Sequence, residues 1–450
     1  MRLSRYVVTY LDVCRGEHVL YDVIGDRYVG VDDAGLTAIK RWCDADPAPG
    51  EESAAAAQLA AMGFLVEDEA GDAIRLADAE RAAARGRPGR AYVTLMPTLA
   101  CDLACDYCFQ KDHPAQGHMK AEVEAAALDF IARTVLASGA EALEMVYIGG
   151  EPLTRKDFVL RTARAAAAAV RPRGMAFAWQ IITNGVALDL PFARAMSELG
   201  PGSIKVTLDG DRETHDAVRV YRDGRGTFDR IFQAMAEVAR ECPGIRMRVD
   251  GNFRPGQERS YEALLQRIAD EGLSGKIDSV RFKPVIESGG CNAVCGSHAA
   301  ETLVQLGRTA DDRGIRILGA NQVEDVAPCE LHWDNAWTID PAGRLYKCLA
   351  VAGKPELAIG DVWKGVARQD PLVAGRPWEK GCSDDCPFVP ICLGGCMGGR
   401  VATGGRVGEV ACDRTSMELR FRESVTRRYL DEFHPEQSTE ASPPEVNAAA

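Results

Sequence analysis

The hydrophobic pattern changes period along the chain, and the changes mark its organisation. From residue 91, short apolar runs at 92–96, 143–148, 177–182, 204–208, 245–249 and 279–284 alternate with helical-period segments near 120–137, 155–170, 189–199, 227–240 and 259–271. Nearly continuous apolar strands separated by helices are the sequence form of a parallel βα array, buried on both faces. Six alternations are too few to close an eight-stranded barrel, so the pattern predicts an α/β fold with an open, partial (β/α)6 barrel over residues 89–324. No G-x-G-x-x-G follows the first strand, which disfavours a doubly wound dinucleotide fold.

Before this array, residues 6–11, 18–23 and 28–31 read as three short strands, followed by helical patterns at 32–44 and 52–62 and an apolar run at 64–66. An Ala-rich, charged stretch at 77–90 ends in Gly86, Pro88 and Gly89 and reads as a helical connector to a boundary. The first domain is therefore placed at 1–88. Beyond 325 the periodicity breaks up and Gly and Cys dominate, so residues 325–435 are expected to be held by metal crosslinks rather than by an ordinary core. The polar, Pro-bearing tail 436–450 is expected to be disordered.

Composition narrows the function classes. The 450 residues are 46% hydrophobic, enough for two or three domains, and the net charge of −13 leaves no broad basic surface for nucleic acid. No apolar stretch approaches the roughly 20 residues of a membrane span, and no signal-peptide core opens the chain, so a cytoplasmic protein without a membrane partner is expected.

The 15 cysteines carry the chemistry. Cys14, Cys43 and Cys242 stand alone and are expected to be buried packing residues. Cys101, Cys105 and Cys108 follow the first barrel strand. Three thiolates on a four-iron cubane leave one iron open to a small molecule, whereas a structural zinc site prefers four closed ligands. Strand by strand, further motifs appear: Gly149-Gly150-Glu151-Pro152 after the second, Thr183-Asn184-Gly185 after the third, and Thr207-Leu208-Asp209-Gly210 with His215, Asp216 and Arg219 after the fourth. The carboxyl rim of such a barrel is where substrates are held.

With Tyr107 before its third cysteine, C-x3-C-x-aromatic-C resembles the signature of the radical SAM superfamily. The resemblance implies that Cys101, Cys105 and Cys108 hold a [4Fe–4S] cluster that binds S-adenosylmethionine. It further implies that Gly149, Gly150 and Glu151 meet the methionine amino group, that Asn184 and Thr207 lie near the ribose, and that Arg219 meets the carboxylate. Reductive cleavage would then yield a 5′-deoxyadenosyl radical that abstracts a substrate hydrogen.

The later cysteines read Cys329-x13-Gly343-x4-Cys348, then Cys382-x3-Cys386-x5-Cys392-x3-Cys396, then Cys412. They resemble the SPASM extension of radical SAM peptide maturases, apart from one extra residue between Cys382 and Cys386. By that resemblance one auxiliary [4Fe–4S] cluster takes Cys382, Cys386, Cys392 and Cys412. The other takes Cys329, Cys348 and Cys396, with Cys291, Cys295 or an open site as its fourth position. Zinc remains the alternative at both. Residues 1–88 are similar in element order to the winged-helix leader-recognition unit of peptide-modifying relatives, against a merely structural cap.

The resemblance implies a precursor-peptide substrate, a crosslink or related modification as product, and an electron donor such as flavodoxin or ferredoxin. Two alternatives stand. One is a formylglycine-generating sulfatase maturase, whose base would be an Asp directly after the second auxiliary cysteine, where this chain has Leu349. The other is an iron–sulfur electron-transfer or sensor protein.

Overall fold

The computed structural model describes residues 1–44, 51–108, 110, 117–285, 297–318 and 328–436. Cys291, Cys295 and the tail from 437 lie outside them. At the N-terminus β1 (Arg2–Leu3) precedes an antiparallel meander of β2 (Val7–Cys14), β3 (Glu17–Asp22) and β4 (Arg27–Val31). Helices α1 (Asp33–Asp44) and α2 (Glu51–Ala61) follow, then β5 (Leu65–Val66), which pairs with β1, and α3 (Glu69–Arg85). Helix α3 begins well before the expected connector because the Asp68 carboxylate accepts from the Gly71 N–H at its start. It ends where foreseen, at Gly86 with φ of +59°.

The parallel array forms with all six expected strands: β6 (Arg90–Leu95), β7 (Ala142–Tyr147), β8 (Ala176–Thr183), β9 (Gly202–Thr207), β10 (Ile245–Phe253) and β11 (Ile277–Pro284). Neighbours pair in sequence order, β6 to β11. The crossovers contain α4 (Ala121–Ala137), α5 (Lys156–Val170), α6 (Leu190–Ser197), α7 (Arg212–Val218), α8 (Phe228–Glu241) and α9 (Glu258–Asp270), and α10 (Ser297–Asp311) follows β11. One face of every strand, such as Val93, Met145, Trp179, Ile204, Val249 and Phe282, is buried against these helices. The other face lines the concave interior, and the fold is the open α/β barrel that the pattern predicts.

The C-terminal segment corrects the expectation that it lacks an ordinary core. Strand β12 (Ala336–Ile339) pairs parallel to β6, and β13 (Arg344–Tyr346), β14 (Gly360–Asp361) and β15 (Gly365–Val366) extend the sheet to ten strands. Short helices α11 (Trp378–Gly381), α12 (Val389–Cys392) and α13 (Met397–Ala402) carry the cysteine-rich turns, and α14 (Arg414–Phe433) closes the chain. Phe388, Leu393, Met397, Phe421 and Val425 form a buried cluster that also takes in Tyr10, Val19, Tyr21 and Val23 of the N-terminal meander. Among the described residues, no helix is long and apolar enough to cross a membrane.

Candidate active site

Beyond β6 the chain continues beside the end of β7. The Gly150 N–H donates to Thr98 O at 3.0 Å and the Glu151 N–H to Ala100 O at 2.9 Å. A Cβ on Gly149 would stand 2.1 Å from Thr98 O, and one on Gly150 would stand 2.1 Å from Ala100 O. Only glycine allows this approach, so the Gly-Gly pair fixes the backbone immediately before Cys101. Asn184, at the end of β8, holds the next residue: its Nδ2 donates to Asp102 Oδ1 at 2.7 Å and lies 3.8 Å from Cys101 Sγ. The Leu103 N–H donates to the Cys101 thiol at 3.4 Å, and the Cys108 N–H to Cys105 O at 3.3 Å. Burial pushes the Cys101 thiol up to about 12. It raises Cys105 as well, while the Arg219 guanidinium pulls the other way and the Cys108 thiol lies within electrostatic range.

Glu151 is fully buried. Its Oε1 accepts from the Leu153 N–H at 2.8 Å and from Thr183 Oγ1 at 2.7 Å, and its Oε2 accepts from the Asn184 N–H at 2.6 Å. Burial pushes its carboxyl up to about 7, against these three donors. A carboxylate offers about four acceptor positions, so the protein itself takes most of them. Its visible work is to tie the end of β7 to that of β8.

Tyr107, Asp209, Arg219 and Asn252 form one buried network. The Tyr107 hydroxyl donates to Asp209 Oδ2 and accepts from Arg219 Nη1 at 2.7 Å. The Asn252 N–H donates to Asp209 Oδ1 at 2.7 Å, and its Nδ2 lies 3.3 Å from the Tyr107 hydroxyl. Arg219 Nε, 3.8 Å from Asp209 Oδ2, is buried with no hydrogen-bond partner among the described residues. His215 supports the network from below. Burial, with Arg219 nearby, pushes its imidazole down to about 3, so it is neutral. Its Nδ1 accepts from the Asp209 N–H at 3.1 Å, so Nε2 carries the proton and donates to Thr227 Oγ1 at 2.9 Å, which donates to Arg219 O at 2.7 Å.

Thr207 stands half-buried at the end of β9, directly across from Asp250 of β10. The structure thus gathers Cys101, Cys105, Cys108, Tyr107, Gly149–Glu151, Asn184, Thr207 and Arg219 at the carboxyl ends of β6–β9. Sequence reasoning missed Asp102 and Asn252. Asn252 sits near the carboxyl end of β10, and that position was the signal which could have found it.

The later cysteines fall into two groups. Cys382, Cys386, Cys392 and Cys412 line a cavity of about 40 Å³ with Phe388, Val389 and Met417, more room than one water needs. Burial raises Cys392 to about 12 and Cys382 to about 11. The extra residue between Cys382 and Cys386 is absorbed in a turn, where the Cys386 N–H donates to Ser383 O at 3.1 Å and Arg414 Nη1 donates to Asp385 Oδ1 at 3.0 Å. Cys348 lies within electrostatic range of Cys329 and Cys396, and burial pushes it up to about 12. A Cβ on Gly398 would stand 2.3 Å from Cys348 Sγ, so that glycine makes room for the thiol. None of the described cysteines forms a disulfide, and no three His, Cys, Asp or Glu among the described residues converge as a single ion requires. Of the isolated cysteines, Cys14 and Cys242 are buried, but Cys43 is only half-buried.

Comparison with known proteins finds likenesses of sequence and of fold. Residues 95–250 match the model of the Radical SAM superfamily. The chain is 28% identical over 194 residues to an Fe-coproporphyrin III synthase of Methanosarcina barkeri, covering 43% of each chain. It is 27% identical over 194 residues to a serine-type anaerobic sulfatase-maturating enzyme of Klebsiella aerogenes, covering 42% of this chain and 45% of that one. The match thus spans less than half the length of these curated relatives. Among solved structures, native anSMEcpe with bound AdoMet and Cp18Cys peptide aligns with a TM-score of 0.57 at 17% identity, over 75% of this chain and 97% of that one. Streptococcus suis SuiB bound to the precursor peptide SuiA aligns with a TM-score of 0.51 at 14% identity, over 92% and 99%.

Proposed function

We propose that this chain, whose residues 95–250 match the Radical SAM superfamily, is a radical S-adenosylmethionine maturase that modifies a ribosomally made precursor peptide. The observation that carries the reading is the pinning of the Cys101 loop by Gly149–Glu151 at the carboxyl rim. Cys101, Cys105 and Cys108 would hold a [4Fe–4S] cluster, a donor set that leaves one iron open. The buried Arg219 Nε, which has no hydrogen-bond partner among the described residues, is the kind of donor a ligand carboxylate satisfies. Bound together and given one electron, cluster and S-adenosylmethionine would supply the radical chemistry that takes a hydrogen atom from the substrate.

The chain's own residues do the positioning. Gly149 and Gly150 let the Cys101 backbone settle against β7, Asn184 holds Asp102, and Tyr107 with Asp209 fixes the Arg219 guanidinium at the rim. The grouping of Cys382, Cys386, Cys392 and Cys412, and of Cys329, Cys348 and Cys396, supports two auxiliary [4Fe–4S] clusters. The fourth position of the second set would be Cys291, Cys295 or open. A flavodoxin or ferredoxin would supply electrons. The N-terminal unit would capture the leader by strand addition at β4, an edge of its sheet. The fold likeness over 92% of this chain to a protein bound to a precursor peptide favours that assignment.

The sulfatase-maturase reading retains the support of the Klebsiella relative, but Leu349 occupies the position of the expected base. After anaerobic reconstitution we expect about twelve irons per chain, with 5′-deoxyadenosine formed from S-adenosylmethionine and dithionite. The Cys101/Cys105/Cys108→Ala triple variant should keep about eight irons and form none. Persistent cleavage in that variant, or zinc in place of the iron, would sink the assignment.

A further inference from the structure

The concave face of the barrel is divided in character. On β7 and β8 it carries Val146 and Ile182, with Glu144 and Gln180 nearer the amino-terminal end, whereas on β9–β11 it carries Lys205, Arg248, Asp250, Arg281 and Lys283. The strand register places these groups in rows. Asn252, which contacts Tyr107 and Asp209, lies across from Lys283. One row below, Thr207, Asp250 and Arg281 stand side by side, and below them Lys205, Arg248 and Ser279. The basic rows therefore begin within the candidate active site and descend into the barrel.

Among the described residues the cations here outnumber the carboxylates, which are Asp250 and, within electrostatic range of Arg248, Asp278. Asp250 is nearly buried and receives three cations: Lys205 Nζ at 3.1 Å, Lys283 Nζ at 3.3 Å and Arg281 Nε at 3.9 Å. That last distance is too long for a hydrogen bond, and Arg281 Nε is buried with no partner among the described residues. Arg248 adds a fourth cation, its Nε 3.3 Å from Ser279 Oγ. Burial and the adjacent Arg281 push the Lys283 ammonium down to about 8. Partly buried cations in excess over their carboxylates are costly unless another anion joins them.

We infer that the β9–β11 face binds a carboxylate of the substrate, carried by an Asp or Glu close to the residue that loses hydrogen. The inference rests on the peptide-modifying reading for the kind of molecule that brings the carboxylate. A free peptide C-terminus offers the same chemistry. Lys283 and Arg281 are half-exposed and so open to an incoming carboxylate, whereas Lys205 is largely buried against Asp250.

The test uses the reconstituted full-length protein loaded with S-adenosylmethionine. Its probes are acetylated, amidated Ala/Gly hexapeptides with a central Asp or Asn, and a neutral hexapeptide with a free C-terminal carboxylate. Calorimetry should show the Asp peptide binding at least about tenfold more tightly than the Asn peptide, as expected for hydrogen bonds to charged partners. Lys283→Gln or Arg281→Gln should remove most of that preference. Equal preference for the free-terminus peptide would assign the carboxylate to a peptide end rather than to a side chain.

Equal binding of all three peptides, including none measurable, overturns the inference, as does a preference that survives both substitutions. Weaker S-adenosylmethionine binding by Lys283→Gln without peptide would give the carboxylate to the cofactor and also overturn it. 5′-Deoxyadenosine measured in the same preparations judges the radical reading separately, because the peptide preference needs binding alone.

Discussion

At the scale of single residues, the motif glycines and the buried histidine bear most directly on function. Gly150→Ala would press a methyl group against Ala100 O and displace the backbone leading into Cys101. We expect it to lower the iron content from about twelve to about eight per chain and to abolish 5′-deoxyadenosine formation, with the other cysteine groups unaffected. His215 sets a pH dependence. An unfolded histidine takes up a proton near 6.5, whereas the folded one resists until about 3. Its contribution is therefore fully present above 6.5 and is lost as pH falls toward 3. Between pH 7.5 and 5 that amounts to roughly 2 kcal/mol. His215→Gln keeps one acceptor and one donor but cannot titrate, so its denaturant midpoint should vary less over that range. An equal slope in both proteins would show that other groups set the acid sensitivity.

At the scale of elements, the six barrel strands were legible because strands buried on both faces print themselves as apolar runs. Helix α7 was not, since its seven residues are mostly polar; it is started by the Asp211 carboxylate, which accepts from the Thr214 N–H. Strand β12 was hidden for another reason. Its four residues carry no period of their own, and only the open edge of β6, some 240 positions earlier, makes them a strand. Helix α14 is rich in Arg and Glu, and its apolar residues make sense only in the folded chain, against Phe388 of the C-terminal segment and Tyr21 of the N-terminal sheet. Of the candidate site, the cysteines and the turn motifs could be read directly. The Tyr107–Asp209–Asn252 contacts could not, because they depend on how three strand ends converge.

At the scale of the whole molecule, the N-terminal unit is not a detachable module. Tyr21 packs on Phe421 with ring centroids 5.9 Å apart, Arg428 pairs with Asp26 at 2.7 Å, and Trp378 Nε1 donates to Glu80 of α3 at 2.7 Å. A fragment 89–450 would expose the apolar partners of Tyr10, Val19, Tyr21 and Val23. At about 1.5–3 kcal/mol per buried side chain this approaches the stability of an ordinary domain. We therefore expect the fragment to melt at a lower temperature than the intact chain and to hold fewer irons after reconstitution. Undiminished iron and melting temperature would show that the shared core contributes little.

The parallel pairing of β12 with β6 also has a temporal side. While the chain is being made, the edge of β6 stays bare until residue 339 has left the ribosome, a wait of roughly 12–50 s at ordinary rates of synthesis. Throughout that interval an unpaired strand edge stands beside three reduced thiols. The nascent chain is thus open both to edge-to-edge association and to premature capture of metal. Slow translation lengthens this exposure, and its end depends on the last quarter of the chain.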